Sequence, residues 1–287
     1  MKALDIFEKS PEGEFSLRLN KGQRILFVGR SGSGKSAALM SFPKELYEFD
    51  IDNRFRGAAS AIRWLGVEEF RHIEFDFYNP KDGFDAIDAK LNQLANDIES
   101  KKSKVQTIGF ESVGALIFLL VLDSQRKRGI KGTGSEFKGK VRGKVEFLHP
   151  DDYNYCSTAL RLIMFNYIFP LNEMGVNTIF SAWIADKWGK AKNAKEFDPP
   201  EVIGEKILGP GNMVEEFTGY FDESYYFRKN PALIAGKQPK YTVEFNGSFA
   251  KTAYPLQPGE IDVTGKSFYP TWKELVETNL KVKETIA

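Results

Sequence analysis

Residues 29–36 read Gly29-Arg30-Ser31-Gly32-Ser33-Gly34-Lys35-Ser36, which fits G-x-x-x-x-G-K-[ST] at every fixed position. Each part has a physical job. The glycines let the loop take conformations closed to other residues, so successive backbone N–H groups turn inward as an anion nest. Lys35 supplies an ammonium for β- and γ-phosphate oxygens, and Ser36 a hydroxyl for a magnesium ion. A helix starting near Lys35 and running on through Ala37 adds its positive end. The stretch Gly29–Ala37 is therefore expected to hold ATP with Mg²⁺.

Such a cradle needs an acid on a neighbouring strand to hold the metal through water. In Val105-Gln106-Thr107-Ile108-Gly109-Phe110-Glu111-Ser112 an acid ends an apolar strand, so Glu111 is the expected metal-side carboxylate, beside Ser36. The competing account makes Glu111 an ordinary acid at a helix N-terminus. Hydrolysis also requires a group to orient the attacking water. Asp50-Ile51-Asp52 ends the strand after the P-loop helix, and alternation points both acids to one side. Asp52 is the expected catalytic acid and Asp50 its support; a solvated strand-end turn is the alternative. Ser181, in Ile179-Phe180-Ser181-Ala182-Trp183, is placed to sense the γ-phosphate from a strand tip, unless the backbone alone satisfies its hydroxyl.

The elements that must position these groups are legible in the hydrophobic pattern. Ile25–Val28 is an apolar run suited to a strand buried on both faces of a parallel sheet. Before it, Phe15, Leu17 and Leu19 alternate with polar residues. After the loop, residues 36–41 read as a helix stopped by Pro43, and 47–51 and 72–78 as strands. Residues 84–99 place Phe84, Ile87, Leu91, Leu94, Ala95 and Ile98 on one helical face. Residues 105–110 form the next strand and 113–127 a helix. A long helix capped by Asp151 or Asp152 carries Leu160, Ile163, Met164, Tyr167, Ile168 and Leu171 at helical spacing. Residues 176–184, 220–228 and 240–245 read as strands, and 271–281 as a last helix capped by Thr271. The expected architecture is α/β: a mostly parallel sheet flanked by helices, with late C-terminal strands, in one domain spanning 1–287 and strand-rich over 220–287.

Composition narrows the class. Net charge is +1, so nothing global argues for nucleic acid or membrane, and any polyanion site must be local. The single cysteine, Cys156, excludes an intramolecular disulfide and suits a reducing cytoplasm. The longest apolar run, Val113–Leu122, falls well short of the roughly 20 residues needed to cross a bilayer and reads as a buried helix. No membrane partner is expected. Cys156, Trp188, Tyr225 and Tyr226 read as packing residues, and His72 and His149 stand without metal-ligand spacing.

Residues 126–147 differ from the rest. They hold Arg126, Lys127, Arg128, Lys131, Lys138, Lys140, Arg142 and Lys144 among glycines. The expected element is a basic, flexible loop. Lys138, Lys140, Arg142 and Lys144 could neutralise phosphates of single-stranded DNA, with Phe137 and Phe147 stacking on bases. A merely solvated insertion is the alternative.

Taken in order, the P-loop, FPKELYEFDIDN, TIGFESV, GVNTIFSAW, GYFDESYYF and FAKTAYP resemble phage-encoded RecA-like ATPases that accompany single-strand annealing and recombination proteins. The likeness spans roughly residues 20–280. It implies a RecA-like P-loop core and ATP hydrolysis stimulated by single-stranded DNA. It also implies self-assembly into a homo-oligomer, an annealing or single-strand-binding partner, and a place in the host cytoplasm. Carried onto this chain, it puts Lys35 and Ser36 at phosphate and metal, Glu111 at the acidic strand, Asp52 as catalytic acid and Ser181 on the sensor strand. Three positions depart from the pattern. Glu111 stands where Asp is usual, and Trp183 where His often follows the sensor strand. Lys251-Thr252-Ala253 stands near an expected Asp-Arg pair, leaving Lys251, if anything, to replace an arginine that reaches into a neighbouring subunit. Two other readings share the P-loop: a phosphotransferase, and a nucleotide-gated scaffold with little hydrolysis.

Overall fold

The computed structural model describes residues 7–9, 15–17, 22–54, 65–78, 83–128, 149–189, 201–208, 217–231, 239–252, 256 and 259–279. Strands β1 (Phe7–Lys9) and β2 (Phe15–Leu17) make a separate antiparallel pair. The rest is built on one sheet. Along the chain come β3 (Arg24–Gly29), α1 (Lys35–Leu39), β4 (Leu46–Asp50), α2 (Val67–Phe70), β5 (Ile73–Phe77), α3 (Gly83–Glu99), β6 (Thr107–Glu111) and α4 (Val113–Lys127). Then follow α5 (Pro150–Ile163), a π-helical turn (Met164–Ile168), α6 (Phe169–Glu173), β7 (Asn177–Gly189) and β8 (Glu201–Ile207). Strands β9 (Glu223–Asn230), β10 (Lys240–Glu244) and β11 (Glu260–Asp262) and helix α7 (Phe268–Asn279) complete the described chain.

The sheet order is β11-β10-β9-β3-β7-β6-β4-β5, with β8 paired to β7. Strands β9, β3, β7, β6, β4 and β5 are mutually parallel, while β10, β11 and β8 join antiparallel. The fold is therefore α/β with a mostly parallel mixed sheet, and the late strands extend that sheet.

Alternation along the apolar runs sorts side chains into two cores. Leu26, Val28, Phe49, Ile108, Phe110 and Phe180 pack with α3, α4, α5 and α6 on one face. Ile25, Phe27, Leu46, Ile179, Tyr225 and Phe227 pack with α1 and α7 on the other. On the first face Phe49, Phe110 and Phe180 occupy paired positions of β4, β6 and β7 and stack as a ladder, with centroids 4.6 and 4.2 Å apart. On the second, Trp272 Nε1 of α7 donates to the Tyr225 hydroxyl, which donates in turn to Glu223 Oε2 at 2.9 Å.

Several boundaries differ from those expected. Helix α7 begins at Phe268, because Pro270 is tolerated within a first helical turn; Thr271 is inside it, bonding back to the Ser267 carbonyl. Helix α5 is capped by His149, since Pro150 takes the first helical position; Asp152 answers from within by accepting the His149 N–H. Arg126 and Lys127 belong to the end of α4, and Arg128 caps it. Arg128 Nη2 donates to both oxygens of the fully buried Asp152, at 2.7 and 2.6 Å, so this cation is already paired. The rest of the basic segment, including Phe137, Lys138, Lys140, Arg142, Lys144 and Phe147, lies outside the described residues. Cys156, Tyr225 and Tyr226 are core as expected, the Cys156 thiol pushed up to about 12 by burial. Trp188 is not: it is 64% exposed, because β7 runs on past the sheet to form a two-stranded ribbon with β8. Among the described residues, no helix is long and apolar enough to cross a membrane.

Candidate nucleotide-binding site

Register brings the chemistry to one edge. Gly29 of β3 lies beside Trp183 of β7 and Phe227 of β9, and Asp50 of β4 beside Glu111 of β6. The carboxyl ends of five parallel strands thus line up, where open α/β sheets bind ligands. Gly29 leaves β3 where a Cβ would come within 2.4 Å of the Phe227 carbonyl oxygen, so only glycine can sit there. Gly32 and Gly34 take φ values of 74° and 100°, the left-handed region that lets the loop coil back on itself.

Lys35, Ser36 and Glu111 come together here. Lys35 is buried, its Nζ donating to the carbonyls of Gly29 at 2.8 Å and Arg30 at 3.0 Å. Burial lowers its pKa to about 8 against the pull of Glu111. Ser36 Oγ donates to Glu111 Oε1 at 2.6 Å. Glu111 is buried, and that burial raises its carboxyl to about 7 although the Ser36 bond draws it down. Ser33 Oγ, in the middle of the loop, is buried with no hydrogen-bond partner among the described residues. An orphaned hydroxyl inside an anion cradle is a group awaiting an acceptor.

These residues fit a magnesium ion. Ser36 and Glu111 offer two hard oxygens side by side, which leaves the other positions to phosphate and water, as magnesium prefers. Among the described residues no group of three or more acidic, histidine or cysteine side chains could hold a metal unaided.

The other acids form a tier beneath. Asp50 accepts the Arg54 backbone N–H at 2.8 Å. Asp52 keeps one buried oxygen without a partner, and burial, with the nearby Asp50 charge, raises its pKa despite Arg54. Glu48, two residues before Asp50 on the same side of β4, is fully buried with neither oxygen partnered; burial and the Glu111, Asp50 and Asp52 charges hold its carboxyl well above the ordinary range. Sequence reasoning passed over Glu48, although its parity with Asp50 and Asp52 was the available signal.

A cavity of about 610 Å³ opens above the loop. Its floor is Ser31 to Ala38 with Glu111. One wall is Asn53, Arg54 and Trp183, and the opposite wall is Phe227, Tyr241 and the turn from Val263 to Phe268. That second wall had no motif to announce it; three separate C-terminal pieces come together only in the fold. Ser181 is buried one pleat below Trp183, beside Phe27, and does not line the cavity. Lys251 is also outside the lining; its backbone bridges Ser224. The remaining loop cation, Arg30, points away: its guanidinium donates to Glu205 at 2.8 Å and to Asp186, both on the β7–β8 ribbon. Tyr226 also donates to Glu205.

Compared with known proteins, the chain matches no family model and no curated protein.

Proposed function

We propose that this protein binds ATP with magnesium in the P-loop cavity and hydrolyses it, as a RecA-like ATPase acting on single-stranded DNA. The observation that carries the reading is the meeting of Lys35, Ser36 and Glu111 at the flush ends of parallel strands. In this reading Lys35 exchanges the Gly29 and Arg30 carbonyls for β- and γ-phosphate oxygens, and the Ser33 hydroxyl gains an acceptor. The cavity wall at Tyr241 and Val263–Phe268 takes the base and sugar. Bound magnesium would neutralise charge on the phosphates and is held on the protein side by Ser36 and Glu111. Asp52 orients the attacking water. Strand β7 lies between the P-loop strand and the acidic strand, which supports a RecA-like arrangement in which the β7 edge, through Trp183, meets the phosphate end of the site.

Assembly into a homo-oligomer, DNA contact through Lys138, Lys140, Arg142 and Lys144, and work beside an annealing protein rest on the sequence likeness. The test measures ATP turnover with and without single-stranded DNA, beside Lys35→Ala. Stimulation by DNA that the substitution abolishes supports the reading. Turnover indifferent to DNA indicates a phosphotransferase, and tight binding without turnover a nucleotide-gated scaffold.

A further inference from the structure

One cation stands over the mouth of the cavity. Arg54 follows the acidic turn after β4, and its Nη1 donates to the P-loop Ser31 Oγ at 3.2 Å. Its Cζ lies 3.7 Å above the Trp183 ring of β7, and its Nε lies 3.5 Å from Asp52 Oδ2. With the backbone bond to Asp50, three parts of the fold converge to place this one guanidinium. Arg54, Ser31 and Trp183 line the same cavity as Lys35, Ser36 and Glu111.

The company Arg54 keeps separates it from other arginines. Arg24 donates to Asp222, Arg30 to Asp186 and Glu205, and Arg128 to Asp152; Arg228 is ion-paired with Glu244. Those guanidinium groups are matched by carboxylates. Arg54 also has a carboxylate neighbour, Asp52 Oδ2 at 3.5 Å from Nε, but this contact is longer than the bonds in those pairs, and an indole face and a neutral hydroxyl complete its positioning. Among the described residues Nη2 of Arg54 has no hydrogen-bond partner, so part of its planar fork is open to an anion. Of the three cations lining the cavity, Lys35 lies beneath the loop, Lys266 on the far wall, and Arg54 at the phosphate end beside Trp183.

We propose that Arg54 is a γ-phosphate ligand supplied in cis, and that Trp183 is the platform that positions it. The proposal rests on the ATP reading above. In the reaction the oxygen of a water bonds to the γ-phosphorus and the bond to the β–γ bridging oxygen breaks, its electron pair leaving on ADP. The proton of the water passes to the Asp52 carboxylate and then to solvent. Arg54 balances the charge that accumulates on the γ-phosphoryl oxygens and bridging oxygen, the task an arginine finger performs from a partner in other P-loop enzymes. This chain carries that arginine itself, at a position no motif marks.

The experiment compares wild type with Arg54→Ala, Arg54→Lys and Trp183→Ala. It measures affinity for magnesium complexes of ADP and of a non-hydrolysable ATP analogue, then kcat and KM for ATP. Arg54→Ala is expected to keep ADP affinity within about twofold and to lose about tenfold or more for the triphosphate analogue. Its kcat falls about 1,000-fold. Arg54→Lys recovers only part of this, because an ammonium lacks the planar fork. Trp183→Ala lowers kcat while ADP affinity stays. If Arg54→Ala leaves the triphosphate-to-diphosphate ratio unchanged, or weakens both equally, Arg54 does not touch the γ-phosphate. If wild type retains neither nucleotide, the ATP reading itself falls and takes the proposal with it.

Discussion

Lys35 is tied to its own loop, both recorded bonds of its ammonium going to carbonyls that also need a donor. On the ATP reading proposed above, a phosphate would have to replace two good acceptors by bringing negative charge into a buried position. Lys35→Ala is expected to slow ATP hydrolysis at least about 100-fold, read as kcat in a steady-state assay. Glu48 makes a different prediction. Its pKa in the folded chain is raised, so the folded protein holds a proton there that the unfolded chain releases above the ordinary carboxylate range. Stability is thus full in acid and falls as pH rises through and beyond that range. Glu48→Gln removes the penalty. Its advantage over wild type in urea unfolding should grow by up to about 1.4 kcal/mol per pH unit as pH rises above the ordinary carboxylate range; parallel profiles would show that Glu48 is not held neutral. At this scale the P-loop residues were legible because the motif is contiguous. Arg54 and Glu48 were not, because their meaning lies in what stands across from them.

At the scale of elements, α1 is only five residues long and owes its seat to the sheet beneath. A Cβ on Gly109 of β6 would come within 2.8 Å of both Leu39 methyl groups, so the missing side chain is what lets α1 lie flat. Gly109→Val should lift the helix and Ser36 with it, destabilising by about 1–3 kcal/mol and weakening nucleotide affinity about tenfold, measured by unfolding and by titration. Strands were readable where apolar runs were unbroken, as in Ile25–Val28. Ends were read less well. Pro150 and Pro270 each sit inside a helix start that the capping residues Asp151 or Asp152 and Thr271 had placed later. The overrun of β7 was hidden for another reason: its sequence changes from apolar to mixed at Ala185, which resembles a strand ending, whereas it is a strand leaving the sheet to pair with β8 alone.

Over the whole molecule, one sheet separates two cores, and the second also holds up the far wall of the cavity. Trp272 is buried there against Phe42, Tyr225 and Tyr269, and Phe268 of the same helix lines the cavity. Trp272→Ala should cost about 3–5 kcal/mol in urea unfolding and loosen nucleotide binding by detaching α7; a stable variant with intact affinity would disprove that link. The α/β class and the single sheet followed from alternating strand and helix patterns, but the partnership of distant C-terminal pieces around Tyr241 had no local mark.

Arg30 is a member of the phosphate loop whose guanidinium is bonded to the ribbon. Binding at the two places is consequently one thermodynamic cycle. A molecule that clamps Asp186 and Glu205 in their present positions and a molecule that rearranges Gly29 and Arg30 must alter each other's dissociation constant by the same factor, whichever arrives first.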